Sequence, residues 1–139
     1  MIAYIQTSLS KTVKSLIINS CSISKEDIEA FADIFIDNKQ LQYVTITLPD
    51  SGQIESAKLI AAIGSLDSIK WLNLVLGELE SVGCNSLADV LTKSAKTLTS
   101  LSLGFKNIED DDACKNLLTS LGELKSLRRL EYSVLQSNE

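Results

Sequence analysis

One internal repeat constrains this chain more than any other feature. Segments beginning at Val13, Leu41, Ile69, Leu98 and Leu127 read VKSLIINSCSI, LQYVTITLPDS, IKWLNLVLGEL, LTSLSLGFKNI and LRRLEYSVLQS. They follow one another at 28, 28, 29 and 29 residues. Positions 1, 4 and 6 of every segment are apolar or aromatic: Val13, Leu16, Ile18; Leu41, Val44, Ile46; Ile69, Leu72, Leu74; Leu98, Leu101, Leu103; Leu127, Leu130, Tyr132. With 45% hydrophobic residues overall, such a coincidence does not arise by chance. A short run that alternates apolar and polar side chains is a strand signature.

The stretches between these segments carry helical spacing instead. SKEDIEAFADIFIDN places Ile28, Phe31 and Phe35 on one face, and Ser24 ahead of Glu26 and Asp27 is a helix-start pattern. SGQIESAKLIAAIGSL does the same with Leu59, Ile60 and Ile63, VGCNSLADVLTKSA with Leu87, Val90 and Leu91, and EDDDACKNLLTSLGEL with Leu117, Leu118 and Leu121. The carboxylates from Glu109 to Asp112 suit a helix N-terminus, where they oppose the positive end of the dipole.

Each unit is therefore a short strand followed by a helix that returns to the next strand. One such unit cannot bury both its strand face and its helix stripe, so neighbours must stack on a common core. Crossovers of this kind are right-handed by default and give a parallel sheet. The expected fold is α/β, a right-handed βα solenoid with the sheet on its concave face and the helices on its convex face. It spans 1–139 as one domain, with residues 1–12 as an N-terminal cap or remnant helix.

The repeated LxxLxL pattern resembles the leucine-rich-repeat family over about residues 11–135, and its spacing resembles the ribonuclease-inhibitor-like subfamily. That resemblance implies a horseshoe segment. It also implies Asn or Cys at position 9, bonding to backbone in the turn. Here that slot holds Cys21, Pro49, Gly77, Lys106 and Leu135, with Asn107 one place late. Irregular loops after the strands are expected. Some members of the subfamily act on small GTPases or inhibit nucleases, which makes regulation of such an enzyme one implied role.

With positions 4 and 6 turned inward, positions 3, 5 and 7 face the open side. Position 3 carries Ser15, Tyr43, Trp71, Ser100 and Arg129; position 5 carries Ile17, Thr45, Asn73, Ser102 and Glu131; position 7 includes Asn19, Thr47 and Val75. Tyr43 and Trp71 fall on adjacent strands, with Ile17 and Val75 nearby. Exposed apolar patches mark contact surfaces, and Trp, Tyr and Arg are enriched among interface anchors. The candidate partner-binding residues are Ile17, Tyr43, Thr45, Trp71, Asn73, Val75, Arg129 and Glu131. The alternative is that the two rings merely shield the sheet, or that the register differs and they are core. Lys14, Lys70 and Arg128 form a thin basic stripe at position 2, and the helices carry an acidic surface.

The chain has no His, which removes the usual general base and the main nitrogen ligand of metals. Walker, GxGxxG and GxSxG motifs are also missing, so neither an enzyme nor a cofactor or metal is expected. A net charge of −5 argues against nucleic acid, which rewards a basic surface. Cys21, Cys84 and Cys114 lack CxxC spacing and read as reduced, buried thiols. No apolar run is long enough for a membrane span, and the N-terminus lacks signal-peptide features, so a cytoplasmic location is expected.

At the N-terminal end, Ile2, Ile5 and Leu9 have helical spacing. At the other end Leu127, Leu130 and Tyr132 would lie at an uncovered edge. A piece of a larger receptor or scaffold, end-on docking, or a homo-oligomer through the C-terminal strand are the readings open there. The leading expectation is a non-catalytic module that binds a protein through the concave face. The rivals are a structural subunit associating by its ends and a regulator of an enzyme such as a small GTPase.

Overall fold

The computed structural model describes residues 11–19, 24–108 and 111–134. Five strands alternate with four helices: β1 (Ser15–Asn19), α1 (Lys25–Asp37), β2 (Tyr43–Leu48), α2 (Gln53–Ile63), β3 (Trp71–Leu79), α3 (Ser81–Lys93), β4 (Ser100–Ile108), α4 (Asp111–Gly122) and β5 (Arg129–Val134). The strands form one parallel sheet in the order β1-β2-β3-β4-β5. This is the α/β architecture of a βα solenoid of the leucine-rich-repeat kind. Each strand lies beside the one before and after it in sequence, as stacked repeats require.

The sheet register is the register of the repeat. Ser15 pairs with Tyr43, Tyr43 with Trp71, Trp71 with Ser100 and Ser100 with Arg129. Just before the strands, one carbonyl per repeat accepts two amides from the next. Lys14 O takes Gln42 and Tyr43 N–H, Gln42 O takes Lys70 and Trp71, Lys70 O takes Thr99 and Ser100, and Thr99 O takes Arg128 and Arg129. A one-residue slip in any strand would invert its faces.

Inward-pointing Val44, Ile46, Leu72, Leu74, Leu101 and Leu103 are fully buried, as are Leu41, Ile69 and Leu98 at position 1. Leu48, Leu76 and Phe105 extend the same side to position 8. The helices close over it with Ile28, Phe31 and Phe35, with Leu59, Ile60 and Ile63, and with Leu87, Val90 and Leu91. Cys84 is buried among them. Ser24 caps α1, its hydroxyl accepting the Asp27 N–H at 3.2 Å.

Two details differ from the sequence reading. Leu117 is buried and Leu121 partly so, but Leu118 is 52% exposed. Leu118 is the counterpart of buried Ile60, which has helices on both sides. Among the described residues α4 is the last helix, so one flank of it is uncovered. The second difference concerns the turn after β2. No Asn or Cys side chain is needed at Gly77, because Ser51 of the preceding repeat supplies the bonds. Gly77 N–H donates to Ser51 Oγ at 3.0 Å, Glu78 N–H donates to Ser51 O at 3.1 Å, and the Ser51 and Ser56 hydroxyls lie 2.8 Å apart. β3 and β4 then run on together to Leu79 and Ile108.

The edge strand behaves as the repeat implies: Leu130 and Tyr132 are exposed and Leu127 is partly buried. Ile2, Ile5, Leu9, Cys21, Glu109, Asp110 and Leu135 lie outside the described residues, as does the side chain of Cys114.

Candidate functional site: the open sheet face

The open face is built by the odd positions of five paired strands, which carry their side chains opposite to the core. Ile17 is 69% exposed, Trp71 48% and Tyr43 37%. Thr45, Asn73 and Val75 are half-buried beside them. The backbone register sets Tyr43 directly opposite Trp71. Their ring centroids are 6.3 Å apart with planes at 78°, an edge-to-face contact. Such a pair contributes about 0.5–1.5 kcal/mol beyond its burial. Each ring also restricts the rotamers of the other, which lowers the side-chain freedom lost on binding.

Trp71 and Tyr43 are therefore on the surface and not in the core. Thr45 pairs in register with Ile17 and Asn73, and Val75 lies two residues beyond Asn73, on the same face. These six residues form one patch. Arg129 and Glu131 stand two strands from Trp71, across Ser100 and Ser102. The Arg129 guanidinium donates to the Glu131 carboxylate on the same strand, and the Ser102 hydroxyl donates to that carboxylate at 3.5 Å. The hydrogen bond from Arg129, and then its charge, hold the Glu131 carboxyl below its ordinary range; the same contact raises Arg129. Both groups are solvent-exposed, so the pair orders that end of the face more than it stabilises the fold.

Charge is distributed unevenly between the two edges of the sheet. Lys14, Lys70 and Arg128 are exposed at position 2, on alternate strands, with Gln42 and Thr99 between them. Two residues upstream of each repeat start runs a second row that sequence reasoning missed: Lys11, Lys39, Asp67, Lys96 and Lys125, all exposed. Its only acid, Asp67, is paired with Lys93 at 3.5 Å. The signal was in the repeat itself, since extending the aligned segments by two residues reveals it. Short connections put the helix N-termini at the other edge, where the exposed or half-buried acids Glu26, Asp27, Asp50, Glu78, Glu80 and Asp112 outnumber exposed Lys25 and Lys106, and Lys106 pairs with Asp50 at 2.7 Å. Acids near helix starts and bases near helix ends both suit the helix dipoles.

A groove of about 460 Å³ lies on the opposite, helical side, between α1 and α2. Small Ala32, Ala61 and Ala62 open it, and Glu29 and Lys58 pair across it at 3.8 Å. Among the described residues no three His, Cys, Asp or Glu side chains converge to hold a metal. Among them, too, no helix is long and apolar enough to cross a membrane.

The fold places the chain among solenoids of the leucine-rich-repeat kind. Among solved structures it is similar to one described as leiomodin-1 actin-binding site 2, with a TM-score of 0.64 and 19% identity over 86% of this chain and 69% of that one. At that identity the likeness is one of fold. No family model matches the sequence, and no curated protein does.

Proposed function

We propose that this chain is a non-catalytic protein-interaction module that binds its partner through the open sheet face. The observation that carries the reading is the exposed Tyr43–Trp71 pair, locked edge to face on a surface where a strand side chain need only be polar. Rigid aromatic rings beside aliphatic Ile17 and Val75 make an anchor of the kind that dominates interface energetics. Thr45, Asn73, Arg129 and Glu131 supply polar contacts around it. The neighbour described as an actin-binding site shares the fold, which supports a protein as the class of partner; it does not carry actin to this chain.

The ribonuclease-inhibitor-like repeat spacing and a cytoplasmic setting belong to the same proposal, as does the absence of catalysis. The chain has no His, the usual general base, and Glu131 on the open face is already tied to Arg129. A second reading, end-on association, is favoured by exposed Leu118, Leu130 and Tyr132 at the uncovered side of α4 and β5.

The test is capture of partners from native cell extract by the wild-type chain and by the Tyr43→Ala, Trp71→Ala double variant. Both side chains are exposed, so the variant keeps the fold, checked by circular dichroism. Loss of the captured proteins is expected. Unchanged capture by a folded double variant contradicts the open-face reading and leaves the ends.

A further inference from the structure

The proposed face is not charge-neutral, although the chain as a whole is acidic. Its strand-entry rim carries Lys14, Lys70 and Arg128, backed by Lys11, Lys39, Lys96 and Lys125, and none of these seven makes an ion pair among the described residues. Neighbouring strands are about 4.8 Å apart. The position-2 cations, on alternate strands, therefore recur roughly every 10 Å along the rim. On β3 the aromatic pair directly follows a rim cation, Trp71 after Lys70, and across to β2 the Lys14 carbonyl of the neighbouring repeat accepts the Tyr43 amide. Apolar anchor and cations therefore adjoin at the strand-entry end of the sheet.

Resting on the reading above, we propose that this surface takes an acidic segment of a protein partner. The segment lies across the strands, with its carboxylates on the rim and an apolar side chain seated against Tyr43 and Trp71. Carboxylates on this rim gain from several unpaired cations at once, and the acidic opposite edge repels the segment from a reversed placement. A nucleic-acid strand is the other polyanion to weigh. It binds aromatic surfaces by stacking bases on ring faces. The 78° angle between the rings offers no parallel platforms, and Ile17 and Val75 give aliphatic rather than π contact. The geometry favours the peptide.

Trp71 is the only tryptophan of the chain, so its fluorescence reports directly on the surface. The full chain is titrated with a glutamate-rich peptide containing one leucine, with the matching lysine-rich peptide, and with oligouridylate. The glutamate peptide is expected to shift Trp71 emission, with affinity that falls as salt rises. Reversal of the rim in Lys14→Glu, Lys70→Glu, Arg128→Glu is expected to weaken it at least about tenfold. A separate Lys11→Glu, Lys39→Glu variant, in the turns outside the sheet, should weaken it in the same direction. An unmoved emission, equal binding of the lysine peptide, or tighter binding of oligouridylate overturns the proposal. So does a folded rim-reversed variant that still captures, from native extract, the proteins lost by the Tyr43, Trp71 double variant; that result overturns the acidic segment while leaving the open-face reading intact.

Discussion

At Gly77 a Cβ would collide with the Ser51 carbonyl oxygen and lie 3.0 Å from the Pro49 carbonyl oxygen. Backbone cannot step aside as a flexible side-chain tip can, so glycine is required here by close approach. Gly77→Ala is expected to destabilise the fold by about 1–3 kcal/mol, the range for overpacking, measured by urea unfolding. An unchanged midpoint would mean that the Ser51 turn does not clasp β3. On the open face, Glu131 is held below the ordinary carboxylate range by Arg129. A depressed folded value means that the pairing is present at neutral pH and is lost as pH falls through that value. NMR titration of the Glu131 carboxyl should show the depression, and Arg129→Gln should raise it back. A titration unaffected by that substitution would show that the pair does not persist in solution. The clasp at Gly77 could not be read from the sequence, because it depends on a turn that brings Ser51 to β3, and by sequence the slot is only a departure from the repeat. Arg129 and Glu131, two residues apart on one strand, share a face by alternation alone.

At the scale of elements, the sequence was most legible where one period dominated. Positions 1, 4 and 6 located all five strands and their pairing, because a parallel stack repeats one register. Helix faces were legible in α1 to α3 for the same reason. In α4, Leu118 broke the reading, since periodicity identifies a stripe but not whether a neighbour covers all of it. The contrast gives a paired prediction. Leu87→Ala removes a fully buried side chain and should cost about 2–5 kcal/mol. Leu118→Ala should change stability by no more than about 0.5 kcal/mol. Comparable losses in chemical denaturation would mean that Leu118 is covered in solution, and would point to association through that end.

For the whole molecule, the layers separate two tasks. The buried face of the sheet and the helices hold the solenoid together, and the opposite face of the same strands is left to present side chains. Alternation makes the division: Leu72 and Leu74 enter the core while Trp71, Asn73 and Val75 do not. The candidate patch was legible in the sequence because position 3 stacks Tyr43 on Trp71. The basic rim was only half legible, since its outer row lies upstream of the repeated strand motif. The most direct test of binding through this face is site-specific photocrosslinking in native extract. A photoreactive residue is placed at position 73, between Trp71 and Val75, and in a second chain at exposed Val82 on α3. Discrete adducts with another protein are expected from position 73 and not from position 82. Adducts from position 82 alone, or none from position 73 while the chain still captures its partner, would contradict binding through the open sheet.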